Sequence, residues 1–125
     1  MIQRTQRPAA SRQGFTLIEV LMVVAVIGLL VAIAIPQFIA YKARGVDTQM
    51  KSDLKNAATA MESYFAEKQA YPNTVAALVA VGFSPTGGVT VTITVTSSTT
   101  FTLTASAPSG TQPSFTLNSA TGLIN

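Results

Sequence analysis

One set of residues has the types and spacing for chemistry, and it stands near the amino-terminal end: Gly14-Phe15-Thr16-Leu17-Ile18-Glu19. Behind it, Val20 to Ile35 is sixteen residues in a row without a polar side chain. Glu19 is the single charge between Phe15 and Ile35. An acid at the centre of a membrane span costs ~2.5–3.5 kcal/mol on insertion scales, and somewhat less near an interface. A plain anchor has no need of that cost, so the carboxylate points to function and implies a partner. Ahead of it, Met1–Gly14 carries Arg4, Arg7 and Arg12 and no acid, like the charged region of a secretory signal. The rest is in the wrong order for such a signal. No small-residue cleavage site follows the apolar segment, and the small residue, Gly14, precedes it. A cut after Gly14 would remove the charged leader and keep the apolar helix.

Other chemistry finds little support. The chain has no histidine and no cysteine, which removes the usual serine or cysteine triad, thiol and disulfide chemistry, and the commonest transition-metal ligands. The acids beyond the apolar run are Asp47, Asp53, Glu62 and Glu67. A solvated helix face explains them better than a catalytic carboxylate pair. Gly87-Gly88 precedes a strand pattern and reads as a turn, not a phosphate loop. The expectation is therefore no catalytic residue, no metal site and no cofactor. Net charge is +3, but the leader supplies all of it: after Gly14, five Lys or Arg balance five Asp or Glu. The pI near 9.6 describes the precursor, and no direct nucleic-acid site is evident. After Lys68 there is no charged side chain in 57 residues.

The elements that must position the motif follow from periodicity. Phe15–Ile35 is 21 residues, or ~31 Å of helix, enough to cross a hydrocarbon core. Arginines before the span put the leader in the cytoplasm and the bulk of the chain outside. Pro36 predicts a kink, and Gly28 and Pro36 are both tolerated in membrane helices. From Gln37 to about Lys68, Val46, Met50, Leu54, Ala57, Met61 and Phe65 recur at spacings of three and four, one face of an amphipathic helix. Asp47 precedes Lys51 by four, the favourable order for a surface pair. Tyr71-Pro72 ends the helix, Asn73 or Thr74 caps a short helix through Val81, and Gly82 closes it. Val89–Thr96 alternates apolar residues with threonine, a strand signal. Ser97-Ser98 turns tightly into a strand on Phe101, Leu103 and Ala105; a third carries Phe115 and Leu117, and Leu123-Ile124 adds a short edge. The fold class is α+β: a long amino-terminal helix, spanning in its first half and amphipathic in its second, packed against an antiparallel sheet of 3–4 strands. The organisation reads 1–14 leader, 15–36 span, 37–68 amphipathic helix, 69–88 connection with a short helix, and 89–125 sheet.

Gly14, Phe15, Thr16, Leu17, Ile18 and Glu19, with Gly28 and Pro36 in the run behind them, resemble the type IV pilin family and its secretion-system pseudopilin relatives. The match is dense from Gly14 to about Ala40, looser to Tyr71-Pro72, and architectural beyond. The resemblance implies cleavage after Gly14 by a prepilin peptidase, N-methylation of Phe15, and pairing of Glu19 with the amine of a neighbouring subunit's Phe15 in the filament core. It implies loosening of Gly28–Pro36 on assembly, a homopolymeric pilus, the pilus assembly machinery as partner, residence in the inner membrane before assembly, and an extracellular filament afterwards. Major pseudopilins bind calcium in their C-terminal region; this chain has no carboxylate side chain after Glu67, which favours a pilin. The disulfide loop of many pilins is absent. Aromatic residues on or just after the long helix, among them Phe38, Tyr41, Tyr64, Phe65 and Tyr71, read as packing rather than as a conduction path. The uncharged Thr/Ser sheet reads as a polar face, or as a surface for subunits or O-linked sugar. The alternatives are a pseudopilin or minor pilin, and a membrane-anchored periplasmic domain that never polymerises.

Overall fold

The computed structural model describes residues 1–2 and 13–125. Arg4, Arg7 and Arg12, and with them the expectation of an unstructured leader, lie outside the described residues. The chain divides into two units, Met1–Pro36 and Gln37–Asn125.

The long helix α1 covers Leu17–Lys68 and runs through Pro36 without a break. It begins behind Thr16, carries Glu19 in its first turn and Lys68 in its last, an order that suits the helix dipole at both ends. It stops at Gln69, which takes the left-handed conformation (φ 57°) usually left to glycine, with its N–H on the Phe65 carbonyl at 2.8 Å. The short helix α2 covers Val75–Ala80. Thr74 stands at its N-cap without a side-chain capping bond, and Gly82 follows its end at φ 102°.

Three antiparallel strands, β1 (Thr90–Val95), β2 (Phe101–Ser106) and β3 (Ser114–Asn118), lie in sequence order. The tight turn expected at Ser97-Ser98 is longer: residues 96–100 connect β1 to β2, with the N–H groups of Thr96 and Ser97 both on the Thr100 carbonyl. Hydroxyls of Ser97, Thr99 and Thr100 bond one another there, so local side-chain bonds lengthen the turn. Leu123-Ile124 contributes an isolated bridge, Leu117 with Ile124. The N–H groups of Thr116 and Asn125 exchange bonds with each other's carbonyls at 2.8 and 2.9 Å. The outer edge of β3 is thereby covered.

Register sorts the side chains onto two faces. Val91, Ala105 and Phe115 form one inward row, and Leu103 and Leu117 continue the next. They join Met50, Leu54, Ala57, Ala60 and Met61 of α1 in one core, closed by Leu78 of α2 and by Phe83. The expected helix stripe is therefore the buried one, with Val46 and Phe65 half-buried at its ends. Val95 is the exception on β1: the last apolar residue of the alternation lies past the core and is exposed. The outward face carries three rows: Thr90–Ser106–Ser114, Thr92–Thr104–Thr116 and Thr94–Thr102–Asn118.

Candidate assembly site at the start of the long helix

Thr16 and Glu19 hold the beginning of α1 by a reciprocal cap. The Glu19 N–H donates to Thr16 Oγ1 at 3.3 Å, while the Thr16 N–H and Oγ1–H donate to Glu19 Oε2 at 2.8 and 3.0 Å. This arrangement satisfies two of the N–H groups that any helix start leaves without partners. Among the described residues both bonds to the carboxylate fall on Oε2, and Oε1 accepts none. The spacing Thr16-x-x-Glu19 is itself a capping signature, a second role for Glu19 that reasoning from the apolar run alone missed.

Phe15, immediately ahead, is 89% exposed. Gln13–Thr16 lie outside any helix or strand, so the Gly14–Phe15 peptide bond stands in open chain. A Cβ added at Gly14 would meet nothing within 4 Å. Phe15, Glu19, Val20, Val23 and Val24 border a shallow apolar groove of about 250 Å³ with the carboxylate at its edge. Every residue from Gln13 to Lys42 is exposed. The first half of α1 is long and apolar enough to cross a membrane. In lipid, a carboxylate here needs a charged or hydrogen-bonding partner. Gly28 and Pro36 lie further along the same helix, 9 and 17 residues from Glu19, and are not brought to it. A Cβ at Gly28 would also meet nothing within 4 Å.

Two acids expected on a solvated face are placed otherwise. Asp53 is 2% exposed, and its two oxygens accept the N–H and the Oγ1–H of Thr86, each at 2.8 Å. Its position, between Met50 and Ala57 on the apolar stripe, was the signal that could have found it. Asp47 is half-buried rather than at the surface and accepts both the N–H (2.8 Å) and the hydroxyl of Thr111. That bond chiefly, with the N–H groups of Thr111 and Gln112 and the nearby Lys51, holds its carboxyl below the usual range against the opposing effect of burial. The expected Asp47–Lys51 surface pair is redrawn: the Lys51 ammonium lies over the Phe115 ring, 4.6 Å from its centroid. Gly110 packs close against this clamp: a Cβ there would come within 2.6 Å of Asp47 Oδ1 and 2.8 Å of Met50 Cε, so these side chains would have to shift. Glu62, exposed, accepts a bond from the Tyr71 hydroxyl at 3.0 Å, and Glu67 is exposed. Asp47, Asp53 and Glu62 thus fasten Thr111, Thr86 and Tyr71, all outside the helices and strands, to α1. Among the described residues no cluster of acids has the makings of a metal site.

A family model described as the prokaryotic N-terminal methylation motif matches residues 10–35. A second, described as the type IV minor pilin ComP, DNA uptake sequence receptor, matches residues 36–116. The chain belongs to the type IV pilin family. The type IV major pilin protein PilA of Myxococcus xanthus is 44% identical over 85 residues, 68% of this chain and 37% of that protein. The type IV wide pilus major component PilA4 of Thermus thermophilus is 38% identical over 74 residues, 59% of this chain and 56% of that protein. The type II secretion system core protein G of Pseudomonas aeruginosa is 38% identical over 76 residues, 61% of this chain and 54% of that protein. The chain thus spans from over a third to just over half of the length of these relatives. By their names, the first two are pilus components rather than enzymes.

Proposed function

We propose that this pilin is the precursor of a major subunit that polymerises into a type IV pilus. The observation that carries the reading is Glu19. It is the single acid at the head of an apolar helix half whose side chains are all exposed, and among the described residues one of its carboxylate oxygens accepts no bond. The proposed sequence starts with insertion into the inner membrane, leader inside. A prepilin peptidase then cuts between Gly14 and Phe15, and Phe15 is N-methylated. The new amine and the Glu19 carboxylate are each poorly solvated in lipid. Side-by-side packing lets the amine of one subunit meet the carboxylate of the next, which selects one register. A buried pair need not add net stability, yet losing one partner is expensive. The assembly machinery supplies the force for extraction, Gly28–Pro36 loosens as subunits pack, and residues 15–36 become the filament core. Residues 37–68 and the sheet region from 89 onward, joined by 69–88, face outward.

The experiment pairs Glu19→Ala with peptide mass spectrometry of sheared filaments and of membranes. The variant is expected to insert and to be cleaved, leaving methylated Phe15 in the membrane fraction, while filament yield falls by about tenfold or more, the scale of leaving a buried charge without its partner. Normal filament yield from Glu19→Ala would sink the role given to Glu19. Similarity to the secretion core protein favours a second reading, a pseudopilin or minor subunit. Wild-type Phe15 peptide confined to the envelope selects that reading, and an intact Met1 in every fraction selects a membrane-anchored domain that never polymerises. The DNA receptor named in the family description is not adopted, because the sheet and its loops carry no cation to meet a phosphate.

A further inference from the structure

The two edges of the sheet are finished differently. At the outer edge of β3, Thr116 and Asn125 exchange bonds and Ile124 bridges to Leu117. At the other edge, β1 is the last strand among the described residues. The bonding pattern says which backbone groups β1 offers there. The Thr96 N–H bonds the Thr100 carbonyl, and the Ser119 N–H bonds the Phe101 carbonyl. Antiparallel strands alternate bonding direction from one residue to the next. Thr90, Thr92 and Thr94 therefore turn their N–H and C=O toward β2, while Val91, Ile93 and Val95 turn theirs to the free edge. Among the described residues none of these outward groups is bonded across that edge. Val91 is buried, Ile93 half-buried and Val95 exposed, so the accessible stretch is the second half of the strand. The β1–β2 register is continuous from Thr90 to Val95, so no bulge turns the edge away, and no proline stands in it.

An edge of this kind is a template for one more strand. We propose that the strand is β1 of a second copy, antiparallel and related by a two-fold axis at Thr94. Burial selects the register. Outward groups must stand opposite outward groups, which puts the axis on Ile93 or Thr94. An axis on Ile93 draws in the buried Val91 of each copy, whereas an axis on Thr94 uses Ile93 and Val95 alone. In that register Ile93 of each copy exchanges two bonds with Val95 of the other, four in all. The side chains match as well. Val95, the one apolar residue of β1 that its own core leaves exposed, gains the β-branched Ile93 as a neighbour. On the opposite face Thr94 meets Thr94, whose hydroxyls can bond each other. Cross-strand pairs of both kinds stabilise sheets. An unrelated extended peptide would satisfy the backbone groups, but only a strand with this alternation matches both faces, and β1 carries it. Such a contact is isologous and closes after two copies. It cannot build the open polymer proposed above and does not depend on that reading. Four bonds and a few side chains fall short of a standard interface of ~1,600 Å², so the pair is weak and has to be trapped.

The chain has no cysteine, so an introduced one reports alone. The test measures disulfide dimer formation by detergent-solubilised full chain under copper–phenanthroline oxidation. In the proposed register the two Thr94 positions form a non-hydrogen-bonded pair with Cα atoms ~4.5 Å apart, within disulfide reach. The two Thr92 positions lie four residues out of step, ~14 Å apart. Both residues are exposed, so Thr94→Cys and Thr92→Cys are comparable substitutions. Thr94→Cys is expected to cross-link at least tenfold faster than Thr92→Cys. Adding Val95→Pro removes one outward N–H per copy and leaves the β1–β2 ladder intact; it is expected to slow the Thr94→Cys cross-link about tenfold. Val95→Lys, at an already exposed position, does the same by setting an ammonium against Ile93, and serves if the proline variant is poorly made. Equal rates for Thr94→Cys and Thr92→Cys, or a Thr94→Cys rate that Val95→Pro and Val95→Lys leave unchanged, would overturn the proposal. So would loss of the cross-link in a Glu19→Ala background, because the contact would then be a by-product of packing between the apolar helices. A chain that makes no filaments but cross-links through Thr94→Cys leaves the edge pairing standing and removes the pilus reading.

Discussion

The two halves of α1 share one backbone and differ in everything the side chains do. From Leu17 to Pro36 the helix is apolar all round and none of it is buried. From Val46 to Phe65 it is apolar on one stripe, and that stripe is buried under the sheet, while Phe38, Ile39 and Tyr41 ahead of it stay exposed. A helix that is apolar on every side is suited to a medium other than water, whereas a striped one is completed by its own chain. The first half offers its apolar side chains to lipid or to neighbours, whereas the stripe from Val46 onward is covered by its own chain. Apolar content alone would rank the two halves the wrong way round for intramolecular packing.

Core substitutions should separate the halves most sharply. Leu103→Ala, at a fully buried position, is expected to lower the unfolding free energy of residues 37–125 by about 2–5 kcal/mol. Val26→Ala, at a position 57% exposed, should leave it unchanged. Denaturant titration of the full chain in detergent checks both, and equal effects would break the comparison. The next largest difference concerns the acids. Asp53→Ala leaves the two Thr86 donors without their acceptor and should cost about 1–3 kcal/mol, against about 0.5 kcal/mol or less for Glu67→Ala at the surface. Glycines should diverge as well. Gly110→Ala forces a methyl against Asp47 and Met50 and should destabilise by ~1 kcal/mol or more, whereas Gly28→Ala meets open space and should stabilise the isolated helix by up to ~1 kcal/mol.

The smallest expected effect is a pH dependence confined to the second half. The folded-state carboxyl of Asp47 is held below its ordinary value, first by the Thr111 hydroxyl bond. Its contribution is therefore present in full above the unfolded value of ~3.9 and is lost as pH falls through the lower, folded one. The Thr111 amide resonance should shift in that acid window, and Asp47→Asn should remove the shift. A Thr111 resonance that titrates equally in the variant would take the clamp away from Asp47.

The alternation of threonine with valine and isoleucine made the first strand legible, and the three-and-four spacing from Val46 to Phe65 made the buried stripe legible. Glu19 is conspicuous as one acid in an apolar run, but its cap with Thr16 was encoded in the Thr16-x-x-Glu19 spacing instead. What escaped was the work of polar groups between elements distant in sequence. Asp47 meets Thr111 across 64 residues, and Asp53 meets Thr86 across 33. No local period encodes such pairs, although Asp53 did betray itself by standing on the apolar stripe. The turn at residues 96–100 escaped for the opposite reason: its bonds are local, but they compete among several hydroxyls of equal claim.

The contact of Tyr71 with Glu62 makes one residue a built-in optical gauge. Tyr71 stacks on Phe65 with ring centroids 4.6 Å apart and meets Phe101 edge-on at 4.8 Å, so its ring touches both helix and sheet. Burial first, and the Glu62 bond second, raise its phenol above the ordinary value. The chain has no tryptophan to mask tyrosine absorbance or emission. In an alkaline titration Tyr71 should therefore ionise late, and the phenolate band it adds at high pH would report, without any label, when helix and sheet part.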